Sequence, residues 1–356
     1  MGQGELLIQR CRLWAITPYR QPLREALTVS RITSTGLDGI RVPKQAGGRP
    51  CANGIDYRTP AATQPAMTHL RIALEWFLNP DHLPLLAARE RLQADGWNIE
   101  LVVPDDHYDG FAALADGAVD LVVNEPLHLV EQRELALKSH GCFFATDGGV
   151  LMHRTALKQL TEGAPVRIAS PVSNPTTDGL CIDILRGWMA GQGVALNSDQ
   201  VMIEAAGFSH VDNLADGFDG AWLAFANVEG VSAKVRGLDT QMITTAEAGI
   251  PNFSALELIG TGDAPWDVRD AIAALVATLN AVTPVLCADP AAARALWYRA
   301  SGAVPDAEAD AIVAASLPRF LAPVRRSADM WRPMWRQLHS RGGDVVDEQT
   351  FEAMFA

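Results

Sequence analysis

From residue 67 onward, short apolar runs alternate with segments in which apolar positions recur every three to four residues. The runs at 70–76, 98–103, 119–123, 149–153, 166–169, 201–204, 220–224, 240–243 and 254–259 are mostly rich in Val, Ile, Leu and Ala, which predicts buried strands. Helical periodicity covers 82–94, 109–116, 126–137, 155–161, 177–191, 209–216, 228–234, 265–287, 289–301, 305–321 and 326–341. Asp81, Asp109, Thr177, Asp289 and Asp306 stand where N-caps or first-turn acids belong, and Gly96 and Gly193 where helices end. Such alternation predicts an α/β fold of mostly parallel sheets flanked by helices, with a helical C-terminal region.

In an open α/β sheet, ligands bind beyond the carboxyl ends of the strands. Two strand ends carry a polar cluster and a histidine. One is Glu75-Trp76-Phe77-Leu78-Asn79-Pro80-Asp81-His82 and the other Asn124-Glu125-Pro126-Leu127-His128. A third is the turn Pro171-Val172-Ser173-Asn174-Pro175-Thr176-Thr177, whose hydroxyls and backbone N–H groups open a helix. The function of this turn is either to hold a polar ligand group or simply to cap that helix. Trp222 and Phe225, near the end of a fourth strand, suit either a stacking face or a core.

Charge divides the chain. Residues 1–66 carry nine Lys/Arg and four Asp/Glu, a net of +5, and lack periodicity, whereas the remainder carries 20 and 38, a net of −18. The first 66 residues are therefore expected to be an extension outside the folded body, or to precede the natural start. The overall net charge of −13 argues against non-specific nucleic-acid binding, and no apolar run predicts a membrane span. No export signal is evident, which points to the cytoplasm, or to the periplasm if the true start lies further upstream. The cysteines at 11, 51, 142, 181 and 287 have no CxxC or metal-ligand spacing and read as free thiols. Asp105-Asp106-His107 has no companion cluster and reads as a solvated turn. Trp331 and Trp335 are spaced to pack the last helix onto the body.

The stretch Ala73-Leu74-Glu75-Trp76-Phe77-Leu78-Asn79-Pro80-Asp81-His82 resembles the start of two related groups. These are the solute-binding proteins for pyrimidine precursors and aliphatic sulfonates, and the fungal thiamine-pyrimidine synthases. Leu114-Ala115-Asp116-Gly117-Ala118-Val119-Asp120-Leu121 and Leu214-Ala215-Asp216-Gly217-Phe218-Asp219-Gly220-Ala221 extend the resemblance, which covers roughly 67–320. It implies a bilobal fold of the type II periplasmic-binding-protein kind, with a small-molecule ligand held in the cleft. Lobe 1 would comprise 67–162 and 248–356, and lobe 2 would comprise 163–247. The implied partners are that ligand and an ABC permease.

A synthase would use pyridoxal phosphate, iron and a reactive histidine. His128 matches the reactive histidine and His82 a second one. Asn124 stands where the lysine for pyridoxal phosphate would be, and Ile250-Pro251-Asn252-Phe253-Ser254 lacks the cysteines of the iron motif. An Asn cannot form a Schiff base. The sequence therefore favours a binding protein without a cofactor, the runner-up being a cytosolic synthase-like enzyme using His128, and a third reading being a ligand sensor. The expected ligand residues are Trp76, His82, Asn124, Glu125 and His128 from the first lobe. From the second they are Ser173, Asn174, Thr176, Trp222 and Asn227, with Asn252 near the crossover.

Overall fold

A computed structural model of the protein describes residues 69–104 and 109–356. The expected extension over 1–66, Cys11, Cys51 and the Asp105-Asp106-His107 turn lie outside the described residues. The chain runs β1 (His69–Ala73), α1 (Leu83–Ala94), β2 (Asn98–Val102), α2 (Gly110–Ala115), β3 (Leu121–Asn124), α3 (Pro126–Glu131) and β4 (Leu137–Ala145). It continues with β5 (Gly148–His153), α4 (Arg154–Thr161), β6 (Val166–Ser170), α5 (Pro175–Gly191), β7 (Val201–Ala205), α6 (His210–Ala215), β8 (Gly220–Phe225), α7 (Glu229–Val235) and β9 (Thr240–Thr244). It ends with β10 (Ala255–Thr261), α8 (Trp266–Ala288), α9 (Pro290–Ser301), α10 (Ala307–Ser316), β11 (Phe320–Arg325), α11 (Ala328–Ser340) and α12 (Glu348–Phe355).

The strands form two sheets, ordered β11-β4-β10-β3-β1-β2 and β7-β6-β8-β5-β9. The α/β class and two-sheet architecture are as expected, but the sheets are mixed rather than mostly parallel. In the first, β1 pairs in parallel with β2 and β3, while β10 lies antiparallel to β3 and β4, and β11 antiparallel to β4. In the second, β6 is parallel to β7 and β8, and β5 is antiparallel to β8 and β9. β5 and β10, the first strands after the two crossovers, run against the parallel strands of their sheets, and so does the edge strand β11. The chain joins the second sheet at β5, ahead of the expected 162/163 boundary, and returns to the first at β10.

Local sequence accounts for most elements. Asp109, Asp289 and Asp306 accept backbone N–H bonds as N-caps of α2, α9 and α10. Asn174, not Thr177, caps α5. Asp81 is a first-turn acid rather than a cap: it lies inside a short 3-10 turn, Pro80–His82, that Asn79 caps. The apolar faces of α1, α8, α9 and α10 bury one side of the first sheet, with Leu86, Leu258, Leu275 and Val313 in that core. α2, α3, α11 and α12 cover the other side. There Trp331 and Trp335 are buried as expected, and Trp335 stacks on Phe351 at 5.2 Å. Among the described helices α8 alone has the length and apolarity of a membrane span. It packs on α1 and β11 through Ala271, Ile272, Leu275 and Leu279.

The two crossover segments, 146–147 and 245–254, lie side by side. Thr146 N–H donates to Ser254 O at 2.9 Å, and Asn252 Nδ2 donates to Thr146 O at 2.9 Å. The approach is tight enough that a Cβ on Gly148 would lie 2.0 Å from Ser254 Oγ, so only glycine fits. Beside them Asn227, fully buried, ties the end of β8 to the first lobe. Its Nδ2 donates to Asp81 Oδ1 at 2.6 Å and to Ser316 Oγ at 2.8 Å, and its Oδ1 accepts from Thr146 Oγ1 at 2.8 Å. Asn227→Ala would leave these buried partners unpaired. It should cost about 2 kcal/mol in urea unfolding, and a change below about 0.5 kcal/mol would show the clasp to be dispensable.

Candidate functional site

A cavity of about 380 Å³ opens where the two sheets meet. Its walls come from both. Leu74, Glu75 and Trp76 follow β1, Asn124 ends β3, and Glu125 and His128 belong to the start of α3 and its N-cap. Pro171 and Val172 follow β6, Phe208 follows β7, and Leu223 and Phe225 lie in β8. Asp109, Gly110, Phe111, Val122, Val123 and Gln132 complete the lining. These parallel strands present their carboxyl ends to the gap, the position where such sheets bind ligands. The volume falls within the roughly 300–1,000 Å³ of small-molecule sites.

A β-bulge shapes one wall. Val150 pairs with Trp222 and Gly149 with Ala224, which leaves Leu223 unpaired with φ at 60°, rare for a leucine. Ala221 and Ala224, three residues apart, consequently face the same core behind the sheet. Leu223 and Phe225 line the cavity. Glu229, buried, accepts the Phe225 N–H at 2.8 Å and holds that backbone in place. Around the cavity Trp76 meets Phe208 and Phe225 edge-on, both at 5.6 Å.

Two of the cavity's acidic groups, Glu75 and Glu125, lie beside imidazoles. Glu75 accepts from His82 Nε2 at 3.1 Å, and the Asn79 N–H donates to His82 Nδ1 at 3.2 Å. Burial opposes a proton on His82, but the charge and hydrogen bond of Glu75, the charge of Asp81 and the Asn79 carbonyl, which accepts from a protonated Nδ1 at 3.2 Å, outweigh it and raise its pKa. His128 Nδ1 contacts Glu131 Oε2 at 3.0 Å, and its Nε2 lies 3.7 Å from Glu125 Oε2. Burial again works against its protonation, and the Glu131 hydrogen bond with the charges of Glu125 and Glu131 again prevails. Burial pushes the Glu125 carboxyl up to about 7; His128 draws it down, and Glu75, Glu131 and Glu229 push it further up.

Of the expected ligand residues, Trp76, Asn124, Glu125 and His128 line the cavity. His82 does not. It is fully buried and acts one step back, orienting Glu75. Trp222 is not a cavity residue: it is fully buried in the core and meets Phe253 edge-on at 5.9 Å, because the bulge puts its neighbour Leu223 on the wall. Asn227 belongs to the interlobe clasp and Asn252 to the crossover, where their amides are already engaged. Ser173, Asn174 and Thr176 are absent from the lining, and the side chains of Ser173 and Asn174 are taken up by the start of α5. Asn174 Oδ1 accepts from Thr176 N–H and Thr177 N–H, and Ser173 Oγ donates to Asp178. Their turn supplies Pro171 and Val172 instead.

Glu75, Asp109, Phe111, Gln132, Phe208 and Leu223 were not selected from the sequence. Glu75 was legible, since it adjoins Trp76 at the same strand end. Phe208 follows a strand end with no distinctive polar cluster, and Leu223 depends on the bulge. Among the described residues no group of three His, Cys, Asp or Glu side chains is placed to hold a metal ion.

With this geometry the sequence can be placed among known proteins. The NMT1/THI5-like family model matches residues 79–293, more than half of the chain. The chain belongs to the NMT1/THI5-like family. No curated protein sequence matches it. Among solved structures, it is similar to the ligand-binding component of an ABC-type import system from Staphylococcus aureus, solved with zinc bound. That match has 12% identity and a TM-score of 0.60, covering 80% of this chain and 98% of the other. The alkanesulfonate-binding protein SsuA of Xanthomonas axonopodis pv. citri, bound to MOPS, matches at 16% identity and TM-score 0.57, over 79% and 95%. A conserved Candida albicans gene product with the generic periplasmic-binding-protein fold matches at 15% and 0.55, over 80% and 94%. At these identities the likeness establishes the fold: this NMT1/THI5-like chain has the two-lobed architecture of periplasmic binding proteins.

Proposed function

We propose that the protein is a small-molecule-binding protein of the ABC-transporter substrate-binding type, holding its ligand in the interlobe cavity and passing it to a membrane permease. The observation that carries this reading is the cavity itself, walled by residues of both sheets at their strand ends. The structurally similar import component and SsuA are ligand binders by their descriptions, which supports the same use of the fold. Trp76, Phe111, Phe208 and Phe225 give the walls flat apolar faces, which suit a ring of the thiamine-pyrimidine-precursor kind better than an aliphatic sulfonate.

The synthase-like alternative needs an amine for pyridoxal phosphate and a donor set for iron. Asn124 stands at the wall, no lysine is among the described lining residues, and the segment 250–254 forms part of the crossover without a thiolate. The described residues do not fit either group, although His128 does lie at the cavity.

The test is calorimetric titration with 4-amino-5-hydroxymethyl-2-methylpyrimidine and with methanesulfonate. The pyrimidine should bind, and Trp76→Ala should weaken it about tenfold or more by removing a stacking wall. Preference for methanesulfonate, or a pyrimidine complex indifferent to Trp76, would overturn the pyrimidine reading.

A further inference from the structure

The cavity's charges are one-sided. Glu75, Asp109 and Glu125 line it, and among the described residues neither lysine nor arginine does. Among the described lining residues the only cationic candidate is His128, which Glu131 already engages. Two further groups are unfulfilled. Glu125 Oε1 and Trp76 Nε1 have no hydrogen-bond partner, although Glu125 and Trp76 are 7% and 6% exposed. A buried acceptor and a buried donor left unpaired are each costly, and natural sites retain them where a ligand completes the bonds.

An anion would meet these carboxylates without a fixed positive charge to offset them. A planar cation would supply what is missing: N–H donors for Glu125 and Glu75, charge to stabilise Glu125 as a carboxylate, and a face for the aromatic walls.

We propose that the cavity selects a planar organic cation, an amidinium or protonated amino-heterocycle, with Glu125 as the residue that sets this preference and Glu75, oriented by His82, as its second carboxylate. This rests on the binding-protein reading and narrows it to a charge class. It also makes binding pH-dependent: Glu125 must be ionised to hold the cation, so acidification through its titration range loosens the ligand. Facing Glu125 are His128 and Glu131 of α3, Glu75 after β1 and Glu229 of α7. The two histidines coupled to these acids, His82 and His128, take up protons in the same direction and further weaken the hold on a cation.

The experiment uses three probes of one shape and different charge, titrated into the full chain at about pH 8. They are benzamidine (cation), benzamide (neutral) and benzenesulfonate (anion). Benzamidine should bind about tenfold or more tightly than benzamide, with benzenesulfonate weakest. Glu125→Gln, which keeps the shape and removes the charge, should bring benzamidine to the level of benzamide. It should also shrink the loss of benzamidine affinity expected of the unaltered protein between about pH 8 and 6 to the part that His82 and His128 contribute. Binding of benzenesulfonate as tight as benzamidine, or a benzamidine complex insensitive to Glu125→Gln, overturns the charge class and leaves the binding reading standing. Silence toward all three probes, with no small molecule retained in native mass spectra of the purified protein, removes the binding reading and this inference together.

Discussion

The melting temperature should be higher at about pH 6 than at about pH 8, by roughly 5 °C. Four buried carboxyls set this direction. Burial pushes Asp81, Glu125, Glu229 and Glu257 each up to about 7, against hydrogen bonds or charges that only partly offset it. In the unfolded chain the same groups titrate near 4. Between these values the folded state binds more protons than the unfolded one, so stability falls as the pH rises through the folded-state pKa. Each group contributes on the order of 1 kcal/mol across pH 8 to 6. His82 and His128, with raised pKa values, act in the same sense.

Two histidines oppose it. Burial, with Arg326 and Lys138, lowers His140 to about 4, and burial lowers His210. As the pH falls through about 6.5 the unfolded chain takes up protons that these two refuse, and stability is lost. Their effect begins near pH 6.5, below most of the acid window, so the net gain at pH 6 is on the order of 3 kcal/mol. Glu257 offers a clean check because it lies away from the cavity, between β4 and α11, where it accepts from Ser139 Oγ at 2.5 Å and from Trp331 Nε1. Glu257→Gln should flatten the pH dependence by about a third. A melting temperature that is level or rises from pH 6 to 8 would show that these carboxyls are not held protonated.

The elements were legible where local chemistry and pattern agreed. Runs such as Leu121-Val122-Val123 and Val166-Arg167-Ile168-Ala169 had to be buried strands, and they are β3 and β6. β4 and β11 were missed for physical reasons. β4 opens Leu137-Lys138-Ser139-His140-Gly141, polar and interrupted by a glycine at φ 119°, and its strand character comes from pairing with β10. β11 carries Pro323, which argues against a central strand but is tolerated at the sheet edge that β11 occupies. Sheet polarity was equally hidden, because alternation of strands and helices does not reveal which strands enter the second sheet from the crossover.

The site divides along the same line. The first lobe contributes its residues directly at two strand ends, so Trp76, Asn124, Glu125 and His128 could be chosen from sequence position alone. In the second lobe polar residues after strands attracted attention, yet the structure uses Ser173, Asn174 and Asn227 for capping and for the clasp, and gives the cavity apolar Val172, Phe208, Leu223 and Phe225. Polarity at a strand end indicates a functional site only when the local backbone does not consume it first.

Trp222→Ala should cost about 3–5 kcal/mol of stability, the largest effect expected of any single change discussed for this protein. The side chain is fully buried among the aliphatic residues between β8, β5 and α5, with Phe253 edge-on against it. Removing it leaves a void that these strands cannot close, since β8 is tied on one side to β6 and on the other to β5. The orphaned indole N–H separates this loss of packing from loss of a polar contact. Trp222→Phe removes that unpaired donor while keeping a ring near Phe253, so it should cost less than about 2 kcal/mol. Urea unfolding of both variants measures the difference. A wall residue would behave in the opposite way: its alanine variant would fold normally and lose ligand. Near-native stability of Trp222→Ala, combined with weakened binding of the pyrimidine probe, would return Trp222 to the cavity and would mean that the bulge at Leu223 is not the conformation the protein adopts in solution.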